Sequence, residues 1–227
     1  LAIYRASAGG VTAVQQLHGA ANPICGPRSL LPLRWGRDAD GLRIDDAPGF
    51  IKFALGENVK RSNWGPNDRF PQTRMGVEQV YYDAFHRAKD YAAEWAKYEA
   101  MKPKEKANAV QPRRDLELDA LAQILAGTRF ITCHSYVQSE ILMLMQVADS
   151  MGFRVNTFTH VLEGYKVAQE LMLHGANVST FSDWWAYKFE VKDAIPYNAA
   201  IMHEQGLNVC INSDDAEMSR RLNQEAA

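Results

Sequence analysis

Five polar side chains in this sequence, Asp183 at the end of Asn177–Asp183 among them, sit where burial of apolar surface does not account for them. Lys52 lies inside Phe50-Ile-Lys-Phe-Ala54, and His134 closes Arg129-Phe-Ile-Thr-Cys-His134. His160 closes Arg154-Val-Asn-Thr-Phe-Thr-His160, and Asp214 closes Asn208-Val-Cys-Ile-Asn-Ser-Asp214. Neutral imidazoles and a carboxylate together suit Zn²⁺ or a similar divalent ion. The spacing is 26 residues from His134 to His160 (160 − 134) and 54 from His160 to Asp214 (214 − 160). Those intervals equal one and two strand–helix repeats, so these groups belong at the ends of successive strands. A single strand-end histidine could simply bond a loop. The joint pattern points to a metal site.

The elements that position these residues are read from periodicity. Arg129–His134, Arg154–His160, Asn177–Asp183 and Asn208–Asp214 are strand-like, and each precedes a helical segment. Ile141, Leu144, Met145 and Ala148 recur at helical spacing over Gln138–Met151, and Gly152 supplies a stop. Gly175 and Gly206 close the next two helices, which run to about His174 and over Ala194–Gln205. Repeated strand–helix units require parallel strands with helical crossovers. Neither G-x-G-x-x-G nor the P-loop signature follows any strand, so a (β/α)₈ barrel is expected over a nucleotide fold. Its catalytic groups would converge at the C-terminal strand ends.

Side-chain alternation assigns faces to these strands. It groups Lys52 with Phe50 and Ala54, His134 with Thr132 and Phe130, and Asp214 with Asn212 and Cys210. His160 is grouped with Phe158 and Asn156, away from Val155. In the first half, strands are expected at Gly10–Leu17 and Phe50–Leu55, with Asn22–Pro48 mostly loop apart from a strand near Leu31–Trp35. Asn58–Arg74 reads as a long polar loop, Gly76–Met101 as a long helix, Lys102–Pro112 as a charged linker and Asp115–Ala126 as a helix.

The 227 residues suffice for a substantial core, and 47% hydrophobic with 23% charged residues is ordinary globular composition. A formal charge of −2 gives no net attraction for a polyanion, so nucleic acid is not an expected partner. No apolar stretch approaches the roughly 20 residues of a membrane helix. Three cysteines without a C-x-x-C pair suggest neither a disulfide framework nor a zinc knuckle. Leu1 at the start and an uncapped helix-like end suggest a segment of a longer chain, leaving compartment and oligomeric state open, a homo-oligomer included.

The runs Gly10-Val-Thr-Ala-Val, Ile51-Lys-Phe-Ala, Ile131-Thr-Cys-His-Ser, Phe158-Thr-His and Ile211-Asn-Ser-Asp-Asp resemble the metal-dependent amidohydrolase superfamily. The likeness spans nearly the whole chain and is strongest to the imidazolonepropionase-like and prolidase-like branch. It implies a distorted (β/α)₈ TIM barrel, here incomplete at both ends, as one partial catalytic domain over residues 1–227. It also implies one or two divalent metal ions, zinc above all. The family's carboxylated lysine falls on Lys52, its histidine ligands on His134 and His160, and its acid–base aspartate on Asp214, with Asp215 the adjacent competitor. The family's first-strand His-x-His pair has no counterpart before Leu17, and His18 is read as a pocket or structural residue. The flanking β-sandwich domain is also missing from the sequence.

The resemblance implies attack of a metal-bound hydroxide on a carbon–nitrogen bond of a small amide or cyclic amide. Asp214 would take the proton and pass it to the leaving nitrogen. A carbamate would turn Lys52 into an anionic ligand; the simpler account of Lys52 is an ion pair, with Glu57 for example. Tyr136, Glu163, Tyr165, Trp184, Trp185 and Arg74 are the expected substrate contacts, with Asn63 and Trp64 beside Arg74 in a lid-like loop. His86, His174 and His203 read as surface or packing residues on helices. Two other readings stand: a Schiff-base lyase using Lys52 as the amine nucleophile, and a truncated, non-catalytic barrel.

Overall fold

A computed structural model describes residues 2–61, 65, 68–181, 186–215 and 217–227. Its main sheet comes from the strand-like runs that carry the polar residues. Strands β4 (Gly49–Ala54), β5 (Arg129–Ser135), β6 (Thr157–His160), β7 (Asn177–Thr180) and β8 (Val209–Ile211) pair in parallel and in chain order. Strand β2 (Ile24–Arg28) adds an antiparallel edge beside β4, giving six strands. The expected (β/α)₈ barrel, incomplete at both ends, is not seen as such: among the described residues the sheet is open and mostly parallel, with β2 and β8 at its edges. Strands β1 (Ala13–Gln15) and β3 (Leu30–Pro32) form a separate antiparallel pair. Gln15 of β1 donates to Thr132 Oγ1 at 3.1 Å, so this pair touches the sheet face opposite the helices.

Strand β2 falls in the stretch read from sequence as loop. Pro27 cannot donate to a ladder and is tolerated only at an edge. The register of β2 against β4 shifts between Ile24 and Pro27, as a strand interrupted by Gly26 and Pro27 requires. Its apolar pattern is therefore broken, and sequence periodicity does not find it.

Helices α1 (Ala2–Ala8), α2 (Asn58–Arg61) and α4 (Pro103–Lys106) are short, whereas α5 (Leu116–Leu125) joins the longer helices in covering one face of the sheet. Helix α3 (Arg74–Glu99) starts at Thr73, whose hydroxyl accepts the Gly76 N–H at 3.0 Å. Val77, Tyr81, Phe85 and Ala88 are its buried stripe. Phe53 of β4 meets Tyr81 and Phe85 at centroid distances of 5.2 and 6.1 Å. The Tyr81 hydroxyl reaches the carbonyls of Pro23 and Ala54 at 2.8 and 2.9 Å, tying α3 to the edge pair. Helix α6 (Gln138–Met151) ends at Gly152, φ 79°, and α7 (Ala168–His174) at Gly175, φ 75°. Helix α8 (Asn198–Glu204) starts later than its periodicity suggests, after a short 3₁₀ turn over Phe189–Val191.

Register fixes the faces. Phe53, Cys133, Phe158, Val178 and Val209 form one row across the sheet and belong to the helix-side core. Ala54, His134, Thr159, Ser179 and Cys210 form the next row, on the opposite face with Lys52 and Thr132. The grouping of His160 with Phe158 on the site face is thus corrected: Phe158 packs under the helices. Simple alternation would send His160 there too. Instead the chain turns left-handed at His160 (φ 68°) and Val161 (φ 39°). That turn brings the His160 ring beside His134, at a strain cost of about 1–2 kcal/mol per residue.

Candidate metal centre at the strand ends

His134 and His160 end neighbouring parallel strands, and their ring centroids lie 4.8 Å apart at 75°. His160 is held between two aromatic faces, Tyr136 at 5.5 Å and Phe181 at 4.7 Å, both nearly parallel to it. Its carbonyl accepts the Thr180 hydroxyl at 2.7 Å, which fixes the left-handed turn. Its Nδ1 lies 3.3 Å from Asn212 Nδ2, and its Nε2 lies 3.5 Å from Asp214 Oδ2. Tyr136 also packs edge-on against His134 at 4.6 Å.

His134 Nε2 is buried and has no hydrogen-bond partner among the described residues. Burial holds the His134 imidazole well below the usual range, with the charges of His160, Lys52 and Lys188 adding to the effect. Burial also lowers His160; the Asp214 carboxylate opposes this, while Lys52 and Lys188 reinforce it. Both rings are therefore neutral near pH 7, the state in which imidazole binds a metal.

Lys52 is 5% exposed and donates to the His18 carbonyl. Burial lowers its pKa, opposed chiefly by Cys25 and Asp214. Lys52 thus holds a backbone carbonyl where an ion pair with Glu57 is the other expectation, and the backbone N–H of Glu57 donates to Glu190 Oε1 at 2.7 Å. Asp214 is 57% exposed and meets His160 only from the rim. Among the described residues, no three His, Cys, Asp or Glu side chains lie close enough to hold one metal ion. The donor chemistry nevertheless fits a divalent cation, because the buried His134 Nε2, without a partner among the described residues, belongs to a ring 4.8 Å from a second imidazole.

The expected substrate contacts separate into groups. Tyr136 touches both histidines. Glu163 accepts the Gln138 N–H at 3.1 Å, and Arg74 pairs with buried Glu140 at 2.5 Å. Both line a cavity of about 590 Å³ whose walls also include Lys60, Lys166, Glu190 and Asp193. Tyr165 donates to the Asp193 carbonyl at 3.0 Å and is not packed on the histidines. Trp184, Trp185, Asp183, Asn63 and Trp64 lie outside the described residues. Sequence reasoning missed Phe181, Lys188 and Glu190. Phe181 follows directly on a strand and could have been found by asking what covers a strand-end histidine. Lys188 and Glu190 sit in a polar stretch with no periodicity to flag them.

No family model and no curated protein matches this chain. A crystal structure of an amidohydrolase from Thermotoga maritima MSB8 is similar to it, with a TM-score of 0.84 and 28% sequence identity. The match covers 97% of this chain and 55% of that one, so the chain spans about half the length of that amidohydrolase.

Proposed function

We propose that this chain forms part of a metal-dependent hydrolase acting on a carbon–nitrogen bond, with its centre at His134 and His160. The observation that carries this reading is the pair of neutral, buried imidazoles on adjacent strand ends, one with an Nε2 that has no partner among the described residues. The likeness to an amidohydrolase supports the reaction class. The in-order parallel strands with polar groups at their C-terminal ends support a sector of a (β/α)₈ barrel. The imidazolonepropionase-like and prolidase-like branch remains the source we favour for the substrate, a small amide or cyclic amide.

His134 and His160 would hold the ion, zinc by choice, with Asp214 approaching from the rim and Lys52 as its carbamate adding an anionic donor. Carbamate formation needs a neutral amine, and burial of Lys52 lowers its pKa in that direction. A bound divalent ion supplies an acidified water and a polarised carbonyl. Asp214, half-exposed beside His160, accepts the proton at its carboxylate and returns it to the leaving nitrogen. Tyr136 and Phe181 exclude water from the faces of His160. Asn212 lies 3.3 Å from Nδ1 and, with its amide turned so that Oδ1 accepts Nδ1–H, would orient that ring.

The test is metal content by elemental mass spectrometry, together with hydrolysis of a panel of amides, cyclic imides and dipeptides. The parent should carry metal, and His134→Ala and His160→Ala should lose it. A fully loaded His160→Ala variant would refute the assignment. Trapping of a carbonyl substrate on Lys52 by borohydride, in metal-free protein, would favour the lyase chemistry instead.

A further inference from the structure

Glu190 is a buried carboxylate, its side chain 1% exposed, in a loop that no catalytic argument has used. Such a charge is stable only with close partners. Its partners come from two directions. Oε1 accepts the Glu57 N–H at 2.7 Å, and Lys188 Nζ lies 2.9 Å from Oε2. The β4 exit is shaped for this contact: Gly56 has φ 86°, and a Cβ there would collide with Glu190 Oε1. The same Lys188 ammonium sits over the Tyr136 ring, 4.4 Å from its centroid, within range of a cation–π contact. The Tyr187 hydroxyl donates to the Tyr136 hydroxyl at 3.0 Å. Tyr136 is therefore held both at its face and at its tip, while its ring packs on His160 and His134.

We infer that Glu190 and Lys188 form a clamp that positions Tyr136 against the two histidines, tying the loop after β7 to the exits of β4 and β5. Both act through Tyr136 and are positioning residues. The consequence for metal affinity rests on the function proposed above; the clamp itself does not. An ordinary surface ion pair is screened and contributes little, but this one is closed off from solvent on the carboxylate side. Loss of Glu190 would leave the Glu57 N–H without its acceptor and Lys188 without its anchor. Loss of Lys188 would leave a buried carboxylate uncompensated and the Tyr136 face bare.

Hydrogen exchange read by mass spectrometry tests the clamp in the parent, Glu190→Ala, Lys188→Met and Lys188→Arg. Exchange over residues 134–137 and 56–58 should speed about tenfold in Glu190→Ala and Lys188→Met, with residues 141–151 of α6 unchanged. Lys188→Arg keeps a cation over the ring and should restore parental protection. The double variant should be no worse than either single change, as expected of one coupled unit. Zinc affinity should fall about tenfold in the same two variants and recover in Lys188→Arg. Unchanged exchange at 134–137, additive effects or failure of Lys188→Arg to rescue would overturn the clamp. So would loss of protection that extends through α6. Lost protection with unchanged zinc affinity would overturn its positioning role. If the parent binds no zinc, the proposed function fails while the exchange measurements still decide the clamp.

Discussion

Asn212 offers a sensitive probe of the proposed centre, because it touches His160 without belonging to the ligand set. Its Nδ2 lies 3.3 Å from His160 Nδ1, and its buried Oδ1 has no partner among the described residues. Amide nitrogen and oxygen exchange places on a half-turn of the side chain. After that turn Oδ1 would accept Nδ1–H, and the His160 Nε2 lone pair would be directed toward Asp214, as a ligand requires. Removing such an orienting partner typically weakens metal binding 10–100-fold. The 3.3 Å separation is long for a hydrogen bond, so the lower end applies. Asn212→Ala should therefore weaken zinc binding about tenfold, or about 1.4 kcal/mol. Asn212 lies past the end of β8, so folding stability should change by no more than about 0.5 kcal/mol. Competition against a chromophoric chelator measures the affinity, and urea unfolding of the metal-free chain measures the stability. Zinc affinity within twofold of the parent would refute the orienting role of Asn212.

Two further outcomes follow from burial and charge. Glu140 is buried between Lys60 at 3.3 Å and Arg74 at 2.5 Å. Glu140→Ala should cost about 3–5 kcal/mol in urea unfolding, because Lys60 stays buried without its carboxylate, whereas Arg74→Ala, whose side chain is half-exposed, should cost under about 1 kcal/mol. His174 Nε2 accepts the Val155 N–H at 3.0 Å, and burial lowers its pKa against the opposing charge of Asp149. The unfolded chain then binds the extra proton below its ordinary value of about 6.5. Stability from this residue is complete above that value and is lost as pH falls toward the lowered folded value; His174→Gln should remove that part of the acid slope in unfolding measured at stepped pH.

Much of this arrangement was legible in the sequence. Helix α6 was read with its observed bounds because Ile141, Leu144, Met145 and Ala148 keep helical spacing up to Gly152. The adjacency of His134 and His160 followed from their separation by one strand–helix repeat, since consecutive parallel strands pair in order. What escaped detection did so for local reasons. Pro27 and Gly26 disguised β2, and the left-handed turn at His160 cannot be seen in a period-two pattern. Lys188 and Glu190 owe their placement to a loop that returns over the site, and no spacing rule describes such a return.

If His134 and His160 hold one divalent ion, as proposed above, both imidazoles must belong to its coordination shell. Zinc K-edge absorption spectroscopy of the zinc-loaded chain measures this most directly, because imidazole ligands give a characteristic outer-shell scattering. Two imidazole ligands are expected at about 2.0 Å, with oxygen completing the shell and no sulfur. One of these imidazoles should be lost in each of His134→Ala and His160→Ala. A sulfur shell at about 2.3 Å, or an imidazole count unchanged by either substitution, would contradict it.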